Sequence, residues 1–266
     1  MNQLAQFDAW SAGQNYEQYM GRWSRQIAAK FVPWLAPPER ARWLEIGCGT
    51  GAFTAHILGK CAPSSVLAID ASKDFVAYAQ AQVIDQRVRF ETADAAKLPV
   101  PDAGVDIVAS ALVLNFIPDR LAALAEMKRV LRPQGLLGFY VWDYPGGGMG
   151  FINAFWKAAV EIDPQAAELM ETRRFPFCTQ DGLTKLCREA DIAATVEPIE
   201  IETAFSDFEA FWQPFTLGAG PAPGYCAKLP EDQRARLKAK LAKTLGTKGP
   251  IRLVGRAWAV KAIVNG

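Results

Sequence analysis

The chain of 266 residues has a single histidine, His56, and five cysteines that form no Cys-x-x-Cys pair. An odd number of scattered cysteines argues against a disulfide framework. Without closely spaced cysteine and histidine ligands, we expect no metal site. His56 falls on the helix predicted after a glycine-rich turn, and we interpret it as a structural or surface residue rather than a base. The HExxH, GxSxG and GxxxxGK[ST] patterns are also absent from the sequence, which argues against the chemistries that they serve.

The chain has no excess of either charge and no long hydrophobic run. Lysine and arginine number 29 against 28 acidic residues, so neither nucleic acid nor an anionic membrane is an expected partner. No segment approaches the roughly 18 apolar residues of a membrane-spanning helix. The first residues carry no positive segment followed by an apolar core, as a signal peptide would. We therefore predict a cytoplasmic globular protein; the composition predicts no oligomeric state.

Strand and helix patterns alternate from residue 41 to about 142. This alternation predicts an α/β fold with right-handed crossovers and a mostly parallel sheet. The predicted strands are 42–46, 66–70, 88–92, 105–110 and 135–142, and the helices between them are 51–59, 73–84 and 119–130. A helix near 180–190 is predicted to precede a strand near 193–203, and helices at 205–215 and 231–245 are predicted between that strand and a last strand at 251–263. The glycine-rich segment 145–150 and the Gly/Pro segment 218–224 are predicted to be loops.

The most informative motif is the segment Glu45-Ile46-Gly47-Cys48-Gly49-Thr50-Gly51, between the first strand and its helix. Glycines in such a turn accept positive φ and let the backbone approach a nucleotide-sized ligand. A helix N-terminus alone favours an anion. A carboxylate just before the turn favours a cationic or zwitterionic ligand instead. The spacing Gly47-x-Gly49-x-x-Ala52 also satisfies the dinucleotide fingerprint, so the turn by itself leaves two ligands open.

Two aspartates follow the next two strands, in register with Glu45. Asp70 ends the second strand, where a carboxylate can accept hydrogen bonds from a ribose diol. Its alternative interpretation is an N-cap for the helix that begins near Lys73. Asp94 follows the third strand, and its alternative interpretation is a turn residue with an Asx hydrogen bond. Dinucleotide sites have no general requirement for an acid at the third position.

Together these residues resemble the class I S-adenosylmethionine-dependent methyltransferases, of the small-molecule type with a methyltransferase type 11-like domain. The resemblance is strong over 42–142 and includes the segment from Met127 to Gly135, with Gln134 in place of a glycine. It implies S-adenosylmethionine as cofactor and a Rossmann-like, doubly wound, mostly parallel seven-stranded sheet with helices on both faces and helical cap insertions. The cofactor residues that it implies are Glu45, Gly47, Cys48, Gly49, Gly51, Asp70, Ala71, Asp94, Ala95, Ser110 and Ala111.

The resemblance also implies how the chain is organised around the site. The expectation is one domain, 1–266, with an N-terminal helical lid at 1–40, a cofactor-binding half at 41–143 and substrate-side cap elements at 144–178 and 205–245. Tyr16, Tyr19 and Arg22 are the lid candidates, the aromatic rings for the sulfonium and Arg22 for the methionine carboxylate. Packing of these aromatic residues on the sheet is the alternative.

The implied reaction is methyl transfer to a small-molecule acceptor by in-line displacement, which mainly requires positioning and the exclusion of water. Leu112, Asn115 and Tyr144 are the substrate-side candidates. Many relatives carry histidine at the position of Asn115, so proton abstraction there is in doubt. Asp143, after the fifth strand, is the better candidate for a catalytic acid or base.

Two other functions stay open at this point. An NAD(P)-dependent oxidoreductase fits the glycine spacing but is disfavoured by Glu45 and Asp94. A non-catalytic cofactor-binding regulator would be marked by damage to the glycine motif, which is intact here. The acceptor itself, and the choice among O-, N-, C- and S-methylation, do not follow from the sequence.

Overall fold

A computed structural model describes residues 17–218 and 220–264 of the chain. Tyr16 lies outside these residues. The chain divides into two compact units. The first unit comprises residues 1–23, 143–176 and 200–256, and the second comprises 24–142, 177–199 and 257–266. The predicted division into a lid, a cofactor half and cap elements stays a prediction.

The strands and the longer helices alternate through most of the chain. A π-helical turn, Glu17–Gly21, precedes α1 (Arg22–Leu35). The elements that follow are β1 (Arg42–Ile46), α2 (Ala52–Lys60), β2 (Ser65–Asp70), α3 (Lys73–Gln82), β3 (Val88–Thr92), β4 (Val105–Ala111), α4 (Arg120–Val130), β5 (Leu131–Trp142), α5 (Gly150–Ile162), α6 (Glu171–Arg174), α7 (Gln180–Glu189), β6 (Thr195–Phe205), α8 (Phe208–Trp212), α9 (Pro221–Lys228), α10 (Glu231–Leu245) and β7 (Ile251–Val264). Short 3-10 helices occupy Leu114–Phe116, Pro164–Leu169 and Gln213–Thr216.

The seven strands form one sheet in the order β3-β2-β1-β4-β5-β7-β6. β1 pairs in parallel with β2 on one side and with β4 on the other, while β5 and β7 are antiparallel. The strand order reverses direction at β1, so the carboxyl ends of β1 and β4 border the crevice where ligands of open α/β sheets bind. The predicted Rossmann-like, mostly parallel sheet is confirmed.

The central strands of the second unit are apolar and buried. Four of the five residues of β1 and most of β4 are inaccessible to solvent, as expected for parallel strands that are covered on both faces. Phe31 from α1 packs on Tyr140 from β5 with ring centroids 4.7 Å apart, and Phe53 meets the same ring edge-on. These contacts fix α1 and α2 against the sheet.

Aromatic side chains form the core of the first unit. Phe155 and Phe215 stack with centroids 4.5 Å apart, and Phe205 and Phe211 meet edge-on at 5.2 Å. All four are buried. Aromatic pairs in these geometries add about 0.5–1.5 kcal/mol each beyond their buried area. The phenylalanines of 205–215 therefore serve as core.

Two predicted loops have more structure than their composition indicates. Segment 218–224 was predicted to be a Gly/Pro loop, but α9 begins at Pro221. Proline is tolerated in the first helical turn because the N–H that it lacks has no intrahelical acceptor there. Segment 145–150 is held at Gly146, whose N–H donates to the carboxylate of Asp143 and whose carbonyl accepts from Arg256. Across residues 17–218 and 220–264, we find no helix with the length and apolar character needed to cross a bilayer.

Candidate functional site

The turn between β1 and α2 is built by three glycines with positive φ: 75° at Gly47, 51° at Gly49 and 81° at Gly51. The N–H groups of Gly47 and Cys48 both donate to the Ile69 carbonyl at the end of β2, at 2.8 and 2.9 Å. The turn is thereby fixed to the neighbouring strand. The predicted glycine-rich turn is present, and it lies at the carboxyl end of β1.

The missing Cβ atoms have different consequences in this turn. A Cβ on Gly47 would lie 2.3 Å from Cγ2 of Val113, so this position admits only glycine. A Cβ on Gly49 would meet no atom within 4 Å. The backbone at Gly49 therefore faces open space, where a ligand can approach the main chain closely.

Asp70 and Gly49 are joined across the ends of two strands. Asp70 Oδ2 accepts a hydrogen bond from the N–H of Gly49 at 3.0 Å, and Oδ1 accepts one from the N–H of Ser72 at 2.9 Å. A carboxylate has about four acceptor positions, so both oxygens can accept further hydrogen bonds. Ser72, not Asp70, caps α3, since its hydroxyl accepts from the N–H of Phe75. The N-cap interpretation of Asp70 is therefore wrong.

Glu45 is the buried acid of the site. Its side chain is fully inaccessible to solvent, and Oε2 accepts a hydrogen bond of 2.6 Å from the hydroxyl of Thr54 on α2. Within the described residues, Oε1 has no hydrogen-bond partner. Burial raises the pKa of Glu45 to about 8; the hydrogen bond from Thr54 lowers it and the charge of Asp70 raises it. Burial therefore favours the protonated form of this carboxyl.

The residues after β4 lie beside this turn. The hydroxyl of Ser110 donates to the carbonyl of Ile46 at 2.9 Å, which joins the ends of β4 and β1. Leu112 adopts a φ of 63°, a left-handed conformation that is uncommon for a branched side chain. Asn115 is 4 % exposed, and its Nδ2 has no hydrogen-bond partner among the described residues. Ser110 to Asn115 thus contribute one uncommitted buried donor and no group that titrates near neutral pH.

Asp94 and its neighbours lie at the end of β3. Oδ1 of the exposed Asp94 accepts a hydrogen bond of 2.8 Å from the N–H of Ala96, so the Asx bond of the alternative interpretation is present. Asp94 also retains free acceptor positions on its carboxylate. Ala71 is exposed and Ala95 is partly exposed. The structure brings Glu45, Gly49, Asp70 and Ser110 together at the adjoining ends of β1, β2 and β4, with Asp94 one strand further along the sheet.

Four predicted site residues belong to the first unit. Tyr19 is buried between Phe151 and Phe215, each with its centroid 5.7 Å away. Burial raises the pKa of its phenol well above the usual value, with smaller contributions from Glu171 and Tyr144. Tyr19 is therefore a neutral phenol at neutral pH.

Arg22 and Tyr144 also contact aromatic rings in this unit. The guanidinium of Arg22 lies 4.3 Å from the ring centroid of Trp23 and 4.7 Å from that of Phe205. Burial lowers the pKa of Arg22. Tyr144 packs on Phe175 at 5.6 Å. These contacts favour the packing interpretation, and the lid and substrate roles stay predictions.

Asp143, the candidate acid or base, is engaged on both oxygens. Oδ2 accepts from Nε of Arg256 at 2.7 Å and lies 2.6 Å from its Nη2, while Oδ1 accepts from the N–H of Gly146 at 2.9 Å. The side chain is 1 % exposed. This arrangement favours an anchoring role for Asp143, and its role in catalysis stays a prediction. Arg256 could not be identified from the sequence because it lies 113 residues further along the chain.

The other residue that the sequence analysis missed is Thr54. It is fully buried on α2, nine residues after Glu45. The signal available in the sequence was a hydroxyl side chain among the apolar residues of that helix, three positions after the last glycine of the turn.

A Rossmann-like α/β sheet with a glycine turn, a buried acid before it and aspartates after the next two strands defines an enzyme that binds an adenosine-containing cofactor. Comparisons with known proteins identify the family of enzymes. A family model described as "Methyltransferase domain" matches residues 44–139.

The chain is 33% identical over 213 residues to 27-O-demethylrifamycin SV methyltransferase of Amycolatopsis mediterranei; the match covers 68% of this chain and 76% of that protein. It is 40% identical over 99 residues to malonyl-[acyl-carrier protein] O-methyltransferase of Yersinia pestis, a match that spans 36% of this chain and about a third (34%) of that relative. The solved structure of the Bacillus subtilis YcgJ protein has the same fold, with a TM-score of 0.60 at 17% identity over 91% of this chain and 99% of that one.

The chain belongs to the class I S-adenosylmethionine-dependent methyltransferase family. Its cofactor is accordingly S-adenosylmethionine, and the NAD(P)-dependent alternative is not favoured. The residues present fit this cofactor: Glu45 offers an uncommitted buried carboxyl oxygen for a cationic group, and the open space over Gly49 admits a ligand against the backbone. No group of three or more His, Cys, Asp or Glu side chains in the described ranges is arranged to hold a metal ion.

Proposed function

We propose that this protein transfers the methyl group of S-adenosylmethionine to a small-molecule acceptor by in-line displacement. The observation that carries the proposal is that the buried Glu45, with one carboxyl oxygen unpartnered, and the open backbone of Gly49 both lie at the carboxyl end of β1. An anionic pyrophosphate would place negative charge near Glu45, whereas a ligand with an ammonium group complements it. The intact glycine motif also makes the non-catalytic alternative unattractive.

The roles of the site residues form part of this proposal. Glu45 takes the ammonium group of the methionine part, and Gly47, Cys48, Gly49 and Gly51 form the turn beneath it. Asp70, followed by Ala71, accepts from the ribose diol. Asp94 accepts from the exocyclic amine of adenine, and the N–H of Ala95 faces the ring. The cofactor supplies a methyl group that is already activated by a sulfonium, so the protein has to position the acceptor and exclude water.

In the second unit, Ser110, Ala111, Leu112 and Asn115 line the gap between the cofactor and the acceptor. None of these side chains can act as a base at neutral pH, and Asn115 offers a buried N–H donor. A base is needed only when the acceptor must lose a proton early. We therefore favour an acceptor whose nucleophile is already deprotonated, such as a carboxylate oxygen. The name of the Y. pestis relative, a malonyl-[acyl-carrier protein] O-methyltransferase, agrees with this choice.

A cytoplasmic location completes the proposal. Support comes from the five cysteines, which are buried and form no disulfide, as is usual in a reducing compartment. The net charge of +1 gives no reason to propose a nucleic acid or membrane partner.

The test compares ligands first and acceptors second. Isothermal titration calorimetry should detect binding of S-adenosylhomocysteine and no binding of NAD or NADP; the reverse result would overturn the proposal. Methyl transfer from radiolabelled S-adenosylmethionine should then be measured with three matched sets of small carboxylic acids, phenols and amines. Transfer to carboxylates that yields base-labile esters is the expected outcome, and transfer confined to amines would contradict the proposed acceptor class.

A further inference from the structure

Glu45 is fully buried. Its Cα partners on the two neighbouring strands are Ala68 and Ala109, which carry none. From α2, Thr54 donates a hydrogen bond to Oε2. The described hydrogen bonds therefore hold one oxygen of Glu45 and leave the other, Oε1, without a partner.

The titratable groups around Glu45 do not supply a compensating cation. Asp70 at the end of β2 and Cys48 in the turn both interact with it. Burial, the charge of Glu45 and that of Asp70 raise the pKa of the Cys48 thiol, which stays neutral. On α2, burial and Lys60 lower the pKa of His56, so that the imidazole is neutral at pH 7 and above. An ionised Glu45 would therefore be a buried charge beside a second carboxylate.

We propose that Thr54 is a positioning residue for cofactor capture, and that binding replaces the proton on Glu45 by the ammonium group of the cofactor. The inference rests on the proposed function of this site. The O–H bond of the carboxyl breaks, its proton passes to the buffer, and the ammonium group keeps its own three protons and its charge. Thr54 holds Oε2 throughout, so Oε1 is the oxygen presented to the ligand.

The physical reason is a change in the charge around a buried acid. A neutral carboxyl is the low-energy form in a dry pocket without a cation. An ammonium group brought to Oε1 stabilises the ionised form and lowers its pKa. The hydroxyl of Thr54 acts in the same direction because it donates to the carboxylate. Affinity should therefore depend on pH in the range where the empty site holds its proton.

Calorimetric titration with S-adenosylhomocysteine in phosphate, HEPES and Tris buffers measures the protons released on binding. With a pKa near 8 for the empty site, about 0.9 proton per ligand should be released at pH 7 and about a quarter at pH 8.5. The association constant should rise about tenfold per pH unit from pH 6 to pH 7 and level off above pH 8. A wild-type release below about 0.2 proton at pH 7 would overturn the inference, since linkage requires the protonated fraction to be released.

Variants separate Thr54 from a purely structural role. Thr54→Ser keeps the donor and should reproduce the wild-type proton count and pH profile. Thr54→Val keeps the shape but removes the donor, so the pH at which the affinity levels off should move upward. Glu45→Gln should bind more weakly, with no proton release and no pH dependence.

The possible failures are distinguishable. Identical pH profiles for Thr54→Val and Thr54→Ser would contradict the role of Thr54. Absence of any S-adenosylhomocysteine binding between pH 6 and 8.5 would overturn the proposed function itself. Binding without proton release would overturn only this inference. If Thr54→Val does not fold, Thr54→Ala takes its place in the comparison with Thr54→Ser, and the wild-type proton count and Glu45→Gln still decide whether Glu45 releases its proton.

Discussion

The Asp70 carboxylate accepts a hydrogen bond of 3.0 Å from the backbone N–H of Gly49, 21 residues earlier in the chain. A second bond, from the N–H of Ser72, holds the other oxygen. One side chain thus sets both the glycine turn after β1 and the entry into α3. Asp70 is therefore expected to matter for the shape of the empty site as well as for contact with the ribose.

Replacing Asp70 by alanine should weaken binding of S-adenosylhomocysteine by about 10- to 100-fold, because charge-assisted hydrogen bonds contribute about 1.5–3 kcal/mol. It should also destabilise the protein, since the N–H groups of Gly49 and Ser72 lose their acceptor. Asp94→Ala should weaken binding with little change in stability, because Asp94 is exposed. Calorimetry and urea unfolding measure the two effects. Asp102→Ala, at the opposite end of the sheet, is the control and should leave the affinity for S-adenosylhomocysteine unchanged. Wild-type affinity in both Asp70→Ala and Asp94→Ala would refute the assignment of these two residues to the cofactor site.

Two glycines of the same turn should respond differently to alanine. Gly47→Ala introduces a Cβ against Val113 in addition to a positive φ, and we expect a loss of about 2–4 kcal/mol in unfolding free energy. Gly49→Ala meets open space and should lose only about 1 kcal/mol. Its Cβ would nevertheless occupy the space over the turn, so S-adenosylhomocysteine binding should fall. A Gly49→Ala protein with normal affinity would show that no ligand approaches this backbone.

The raised pKa of Glu45 predicts a pH-dependent stability of the ligand-free protein. The folded-state pKa, about 8, exceeds the usual value of 4.5. The stabilisation that the protonated carboxyl gives the folded state is therefore complete below pH 4.5. It declines as the pH rises toward 8. The slope is at most about 1.4 kcal/mol per pH unit. Glu45→Gln lacks this titration, so its stability relative to wild type should increase from pH 5 to pH 8.

Chemical unfolding at several pH values checks this, and Asp106→Asn is a matched control. The hydrogen bond from Arg42 lowers the pKa of Asp106, so Asp106 is ionised throughout pH 5–8. Its removal should destabilise the protein by a constant amount across that range. A difference between Glu45→Gln and wild type that does not change with pH would contradict the prediction for Glu45.

The ion pair between Asp143 and Arg256 separates anchoring from catalysis. Arg256→Met leaves a buried carboxylate without its cation, which should lower the unfolding free energy by about 3–5 kcal/mol. Asp143→Asn should also destabilise, whereas Glu200→Gln, which alters a more exposed partner of Arg256, should cost less than about 1 kcal/mol. If Asp143→Asn retains wild-type stability but loses methyl transfer, the result would support Asp143 as the catalytic base rather than as an anchor.

Much of the second unit could be predicted because its signals are local. Alternation of apolar strands and helices predicted β1, β2, β3 and β4 to within one residue, and the acid at the end of each of the first three strands was visible in the sequence. Amino-acid composition gave a wrong prediction where the effect of a residue depends on its position in the helix. Proline and glycine in 218–224 predicted a loop, but Pro221 opens a helix.

The partners of the acids could not be predicted. Thr54 reaches Glu45 only once α2 packs on β1, and Arg256 reaches Asp143 only once β7 is in place. The protonation of Glu45 depends on its complete burial, which no local pattern specifies. Sequence therefore identifies the acids of the site, while their charge state and orientation depend on tertiary contacts.

The bond between Asp143 and Arg256 has a consequence for how the chain is made. Asp143 and the glycine segment after it leave the ribosomal exit tunnel long before residue 256 has been synthesised. Until then the acid has no cation and the segment has no clamp, so this region of the nascent chain remains open. Contacts between residues so far apart in sequence form late, because the entropy cost of closing the loop comes before any stabilisation by the contact. Any shortened chain that ends before Arg256 should therefore be degraded or captured by chaperones rather than accumulate.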